Sequence, residues 1–482
     1  MADDGVAVAL PGAAIEPSAA LRSELWCWSA IAVGSLAVAG AFALLLAISR
    51  VPGIEFLAFW PLDFFQKGLV IHVVFSFVVW FAAMFAALAT IASARLGEGA
   101  LGGLGLFSAG GVMLSMPLLF VPAFLQRGEP SLNNYVPVII DPLYYAGLAV
   151  LGLSIALVAA RLVAVSRPAA LRGDPFAAVL AAAALAMLIA LLCFAVALAA
   201  LAGSAASFDF NESLMWGGGH ILQFVNTILL VFAWTTLASA WSRNLARPLA
   251  AASALLLAGA AMGPLFYLIM APFSPGQTSA FTWLQYILGP AAAVVAIPLV
   301  LRLRAPLPRS EPAFLALVLS MVLFGVGGVL GLFVDGADTR TPAHYHGMIA
   351  GVTLAFFGLI FSMILPALGR QAGSTRRQRL IVHLFAWGQL AACIGLFMAG
   401  GHGAPRKVAG AAQGLTDFVP MVGMGMNGLG GLIAVIGGVL FVWTVGSALL
   451  QAPSQVKAAM RRRPDAMIQE KSGQAPAVRR RK

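Results

Sequence analysis

The chain has 482 residues, of which 61% are hydrophobic and only 10% are charged. Soluble domains carry about 25% charged residues, so this composition excludes an ordinary soluble protein and indicates an integral membrane protein. The net charge of +11 does not predict nucleic-acid binding, because the basic residues lie in loops and in the C-terminal tail.

Twelve apolar stretches are each long enough to cross a bilayer as a helix, which takes about 20 residues. In chain order they cover residues 24–49, 68–94, 101–125, 142–165, 176–202, 213–240, 248–271, 281–301, 312–334, 343–368, 380–400 and 418–448. We therefore predict an all-α, polytopic membrane protein. Residues 24–448 form its one transmembrane domain, between an N-terminal segment, 1–23, and a basic tail, 449–482.

Basic residues are unevenly distributed between the loops. Those after even-numbered helices hold more of them, for example Arg161 and Arg167 after the fourth helix. By the positive-inside rule these loops and both termini face the cytoplasm, and the basic tail lies beside anionic membrane lipid. The start of the chain lacks the basic region of a secretion signal, so the first apolar stretch is interpreted as a retained helix in a bacterial inner membrane. No carboxylate is expected in the inner halves of the helices, so proton pumping is not predicted.

Four of the six histidines lie near the outer ends of predicted helices: His72 in the second, His220 in the sixth, and His344 and His346 in the tenth. A single histidine in a bilayer is more often a hydrogen-bonded link between helices than a ligand. Four at one depth favour a metal or haem site, because neutral imidazole is a common ligand of haem iron and copper. His383, at the inner end, is interpreted as structural.

The spacing of His344 and His346 points to two sites. Residues two apart on an α-helix project about 200° from each other, so these imidazoles cannot comfortably hold one small ion. They can serve two sites on opposite sides of the tenth helix, an arrangement that suits two flat cofactors with a ligand helix between them.

These residues resemble subunit I, the catalytic subunit, of the heme-copper oxidase superfamily, the group of cytochrome c oxidases and nitric oxide reductases. The resemblance covers most of the chain. It rests on the histidine early in the second helix, "WGGGHILQF" in the sixth, and the H-x-H at the start of the tenth. The segments "GHGAPRK" before the twelfth helix and "NNYVPVIIDPLYYAGL" before the fourth are similar to family segments.

The resemblance implies a role for each residue. His72 and His346 would be the axial ligands of a low-spin haem, and His344 would be the proximal ligand of a high-spin haem. His220 matches the family's helix-six copper ligand. A basic pair in the outer loop matches residues that bind haem propionates through charge-assisted hydrogen bonds: Arg406 and Lys407.

The chain also departs from the family pattern. The family completes its copper site with two histidines near the end of helix seven, but this chain reads "LFYLIMAPFSPGQTSAFTW" there, without a histidine. Met262 and Met270 are the soft side chains in that region that could bind copper, although a methionine in a helix is usually a packing residue of the core. Phe224 stands where family oxidases often have a tyrosine, and Tyr286 and Tyr345 are the tyrosines considered instead.

Three functions are compatible with these observations. The first is a respiratory oxidoreductase. It passes electrons from other subunits or an external donor such as cytochrome c, through a low-spin haem, to a high-spin haem that reduces oxygen or nitric oxide. The second is a family member without copper that retains haem for electron transfer, gas sensing or complex assembly. The third is a membrane transporter, although no internal repeat supports it.

Overall fold

The computed structural model describes residues 18–97, 101–242, 244–303, 307–334 and 336–451, without the side chains of residues 169 and 170. Most of residues 1–23 and of the tail therefore lies outside the described residues. Within them, twelve helices are long and apolar enough to cross a membrane. They are α1 Ala19–Ser49, α2 Leu62–Leu96, α3 Gly102–Phe124, α4 Pro142–Val165, α5 Pro175–Ala200, α6 Phe208–Ala238, α7 Ala246–Ile269, α8 Pro275–Arg302, α9 Pro312–Gly331, α10 Arg340–Ala367, α11 Thr375–Gly400 and α12 Phe418–Leu450. The predicted all-α, twelve-helix architecture is confirmed.

Side-chain caps fix where several of these helices begin. Ser18 accepts a hydrogen bond from the Leu21 amide at 3.2 Å, so α1 begins at Ala19 rather than at the predicted residue 24. Asp174 caps α5 and Ser207 caps α6 in the same way. Such caps satisfy amides that the first turn leaves without an intrahelical partner, and composition-based boundaries miss them.

Three helices form the centre of the bundle. Within their apolar stretches, α2, α6 and α10 are 72%, 89% and 83% buried, whereas the other nine helices are 33–44% buried. Close approach of the helices depends on small residues: a Cβ added at Gly347 of α10 would lie 2.7 Å from the Cα of Gly327 in α9. The central helices are the three that carry the predicted site histidines, so the protein encloses these side chains.

Two of the central helices widen locally into π-helical turns, at Val74–Val79 of α2 and Ile360–Ile364 of α10. Such turns often occur at functional sites. Next to these turns, aromatic rings join three helices: Phe357 of α10 stacks on Phe441 of α12 at 3.6 Å, and Trp80 of α2 meets Phe357 edge-on at 6.3 Å. This packing fixes α2 and α10, the helices of His72 and of the H-x-H pair, relative to each other.

Residues 125–141 join α3 to α4 at the end of the bundle that the predicted topology places outside; we call them the outer segment. The segment contains a short antiparallel pair of strands, β1 Pro130–Ser131 and β2 Val138–Ile139. Between them, the Asn133 side chain accepts from the Val136 amide at 3.0 Å and donates to the Val136 carbonyl at 2.6 Å. The outer segment is therefore an ordered turn that contacts α6 and α2.

The structure corrects the assignment of Arg161 to a loop and the expectation that the helix halves placed inside by the predicted topology lack a carboxylate. Arg161 lies within α4 and is 7% exposed, and its Nη1 donates to Glu24 of α1 at 2.6 Å. Thr90 of α2 donates to the same Glu24 oxygen at 2.7 Å. Each charge can be buried because the other neutralises it, and hydropathy cannot reveal such a pairing.

Candidate haem site

His72 is oriented by a helix neighbour. Its Nδ1 lies 3.0 Å from the Ala39 carbonyl of α1. A carbonyl can only accept, so Nδ1 carries the proton and Nε2 of the neutral ring keeps its lone pair. Among the described residues, no hydrogen-bond partner faces that Nε2. Metal-binding histidines typically have this arrangement, in which a backbone carbonyl fixes the tautomer and the ring orientation.

His344 repeats the pattern on α10. Its Nδ1 lies 2.7 Å from the Gly327 carbonyl of α9, so its Nε2 is also left with a lone pair. His346 instead bonds Gln389 of α11. The two imidazoles thus leave α10 towards different helices, α9 and α11, which is the geometry that their spacing predicts. Two separate sites can share α10.

His72, His346 and Arg50 lie close enough together for electrostatic influence: Arg50 acts on both imidazoles, and His72 acts on His346. His72, His344 and His346 each remain partly accessible although α2 and α10 are mostly buried, so space adjoins them. Free imidazole lone pairs beside open space fit a haem. The donor set present in this chain therefore suits the cofactor that the family resemblance implies.

Arg50, which directly follows α1, is a further site residue that the sequence analysis did not single out. Its guanidinium lies 5.5 Å from the centre of the Phe65 ring of α2, and burial lowers its pKa. No carboxylate within the described part of the chain pairs with it. A half-buried cation without an anion favours an anionic ligand. The signal available in the sequence was a single basic residue directly after an apolar stretch.

The basic pair of the α11–α12 loop lies against the outer segment. Arg406 donates to Asn134 at 2.8 Å, and the Asn134 amide donates to Glu212 of α6 at 2.9 Å. Lys407 donates to the Leu132 carbonyl. Burial lowers the pKa of Lys407 to about 8, with repulsion from Arg406 adding to the effect and Glu212 opposing it. The pair is thus oriented and partly desolvated, as an anion site requires.

His220 of α6 has a different environment from the other three. It is 1% exposed, and both of its ring nitrogens have protein partners: Nδ1 lies 2.6 Å from the Trp216 carbonyl and Nε2 lies 2.8 Å from the Tyr135 hydroxyl. No group of three or more His, Cys, Asp or Glu side chains within the described ranges is arranged to hold a metal ion. The sequence analysis did not single out Tyr135, although it lies within the quoted "NNYVPVIIDPLYYAGL".

Among the described contacts of the His220 ring, which involve Tyr135, Trp216 and Phe281, none involves the other residues considered from sequence. Met262 is 36% exposed on α7, and Tyr286 is 58% exposed and packs on Trp283. Phe224 is fully buried, and a Cβ added at Gly259 would lie 2.5 Å from its ring. His383 accepts a hydrogen bond from Trp387 of its own helix, a local structural contact.

The fold and the placement of the histidines define the class: a polytopic membrane protein built like the catalytic subunit of a heme-copper oxidase. The solved structure of a heme-copper terminal oxidase dimer has the same fold, with a TM-score of 0.68, 16% sequence identity, and coverage of 91% of this chain and 85% of that chain. The family model for Cytochrome C and Quinol oxidase polypeptide I matches residues 25–440. The chain belongs to this family.

Two sequence relatives have no described activity. An uncharacterized protein of Aquifex aeolicus is 28% identical over 362 residues, which cover 71% of this chain and 84% of that protein. An uncharacterized protein of Rickettsia prowazekii is 24% identical over 498 aligned positions, which cover 88% of this chain and 95% of that protein. The similarity to each extends over most of both chains.

Proposed function

We propose that this chain is a haem-binding redox subunit in which electrons pass from a low-spin haem to a high-spin haem. His72 and His346 would hold the first haem and His344 the second. One observation carries the proposal: the Nδ1 atoms of His72 and His344 each donate to a backbone carbonyl, at 3.0 and 2.7 Å, which leaves Nε2 with a lone pair for iron.

The haems, when bound, supply the one-electron chemistry and a position for a diatomic gas. The chain contributes orientation and charge. The carbonyls of Ala39 and Gly327 hold the imidazole planes, and Gln389 holds that of His346. Helix α10, held to α2 through the aromatic cluster, keeps the two sites at a fixed separation.

Three cations surround the outer end of this site: Arg50, Arg406 and Lys407. Haem propionates are anions, and paired cations would orient them outward by charge-assisted hydrogen bonds. This end of the bundle is also where an external electron donor such as cytochrome c, or another respiratory subunit, would deliver electrons. The outward direction rests on the positive-inside distribution, which favours cytoplasmic termini and a bacterial inner membrane.

The reaction supported best is reduction of a small gas, oxygen or nitric oxide, at the haem of His344. A second function has its own support: a haem protein of electron transfer, gas sensing or complex assembly that uses no copper. The environment of His220 favours it, because the Trp216 carbonyl engages Nδ1 and the Tyr135 hydroxyl engages Nε2, so neither ring nitrogen is free for copper. Membership of the oxidase family favours both redox functions over a transporter.

The first test is the dithionite-reduced absorption spectrum of the purified protein, with and without carbon monoxide, together with iron and copper analysis. We expect two haem signals, only one of which shifts with carbon monoxide. A protein that binds no haem when it is produced with ample haem would contradict the proposal. The histidines would then be helix-packing residues or part of a solute site.

A further inference from the structure

The proton positions on His220 follow from its two neighbours. The Trp216 carbonyl can only accept, so the Nδ1 that lies 2.6 Å from it carries the ring proton. Nε2 of the neutral ring is then an acceptor, and the Tyr135 hydroxyl at 2.8 Å donates to it. Burial raises the pKa of the Tyr135 phenol, which agrees with a protonated donor. The lone pair that is free in His72 and His344 is therefore occupied in His220.

The packing of α6 explains how a tyrosine reaches this histidine. Glycines fill positions 217–219, directly before His220. A Cβ added at Gly219 would lie 2.5 Å from the Cβ of Tyr135, so only glycine admits the tyrosine at this distance. The Tyr135 and His220 rings are 4.4 Å apart, and Trp216 meets Tyr135 edge-on at 5.7 Å. The aromatic contacts hold the phenol over the imidazole.

The outer segment fixes Tyr135 from its other side. The Asn133 side-chain oxygen accepts from the Tyr135 amide at 3.2 Å, and neighbouring Asn134 is bonded to Glu212 and Arg406. The tyrosine is thus held between α6 and the basic pair rather than placed on a free loop. A copper ion at Nε2 would have to displace the phenol and break this arrangement, and no group of three or more His, Cys, Asp or Glu side chains in the described part of the chain is placed to coordinate it.

We infer that the Tyr135–His220 pair takes the position that copper holds in the family's binuclear site, so that this chain binds haem without copper. The inference rests on the proposed function, since it places the pair beside the haem of His344; α6 packs directly against α10. The pair presents a phenol and an imidazole, both neutral, to the gas-binding side. The haem of His344, when bound, would then face a neutral phenol–imidazole pair whose polar hydrogens are already engaged, and not a second metal.

The experiment compares the full-length wild type with Tyr135→Phe and a matched control, Tyr144→Phe, all produced with added copper and haem. Tyr144 is also fully buried and donates to the Pro137 carbonyl of the outer segment at 3.1 Å, but it does not contact His220. Metal analysis gives copper per chain, and infrared spectra give the carbon monoxide stretch of the reduced haem. We expect copper far below one per chain in the wild type, and a shifted stretch in Tyr135→Phe alone.

Stoichiometric copper in the wild type, or identical stretches in the two variants, would overturn the inference. Absence of haem from the wild type is a different result, because it removes the proposed function. The Tyr135–His220 pair is then tested by nitrogen NMR of the histidine side chains and by the copper content per chain. A His220 Nε2 signal that changes in Tyr135→Phe and not in Tyr144→Phe, without copper, supports it. An unchanged signal contradicts it.

Discussion

Separate replacement of His344 and His346 by alanine tests whether α10 serves two haems. The imidazoles project about 200° apart on the helix. One bonds Gly327 of α9 at 2.7 Å and the other bonds Gln389 of α11, so neither replacement touches the partner of the other. We expect haem content to fall from about two to about one per chain in each variant, because each site depends on its own axial histidine.

The spectra distinguish the two losses. His346→Ala should remove the low-spin signal and leave carbon monoxide binding intact, whereas His344→Ala should remove carbon monoxide binding and leave the low-spin signal. Pyridine haemochrome analysis gives the haem count, and reduced spectra with and without carbon monoxide give its assignment. His402→Ala is the matched control, because His402 is exposed and its ring bonds only the Met398 carbonyl, four residues earlier in the chain, among the described residues. Loss of both signals in both variants, with a normally folded protein, would refute two separate sites.

Three further predictions concern the charges. Glu24→Gln or Arg161→Gln alone should lower the free energy of unfolding by about 3–5 kcal/mol, because each removes one charge of a buried ion pair. The double variant should lose less stability than the sum of the two single losses, as measured by thermal unfolding in detergent. A double loss equal to the sum would show that the pair is not coupled. Arg50→Met should lower the midpoint potential of the low-spin haem, on the order of tens of millivolts, because a nearby cation favours the reduced form. Spectroelectrochemical titration measures the potential, with Lys67→Met as the control. Equal shifts of the midpoint potential in the Arg50 and Lys67 variants would mean that Arg50 does not lie beside the haem. Burial lowers the pKa of Lys407 from its ordinary value of 10.5 to about 8, so the unfolded state binds more protons between these values. The contribution of Lys407 to stability therefore rises with pH across that window; melting temperatures from pH 7.5 to 10 should show this rise, and Lys407→Met should abolish it.

The sequence alone determined the membrane class, the number of helices and which helices carry the candidate histidines. Hydrophobic length is a local property, because every backbone group in lipid must be bonded within its own helix. The direction in which a side chain leaves a helix is also local, because it follows from the position in the 3.6-residue repeat. The spacing of His344 and His346 was therefore sufficient to predict that their side chains leave α10 in opposite directions. The roles of these residues at haem iron stay predictions from the resemblance.

Only the tertiary structure showed which groups each side chain meets. Glu24 and Arg161 are far apart in the chain, and their pairing, which permits both to be buried, depends on the contact of α1 with α4. Tyr135 reaches His220 because the outer segment folds over α6 and Gly219 leaves room for it. Hydrogen-bond partners across helices are set by packing between distant segments, and no local pattern encodes them. The sequence therefore identified the histidines, and the packing decided which of them keeps a free nitrogen.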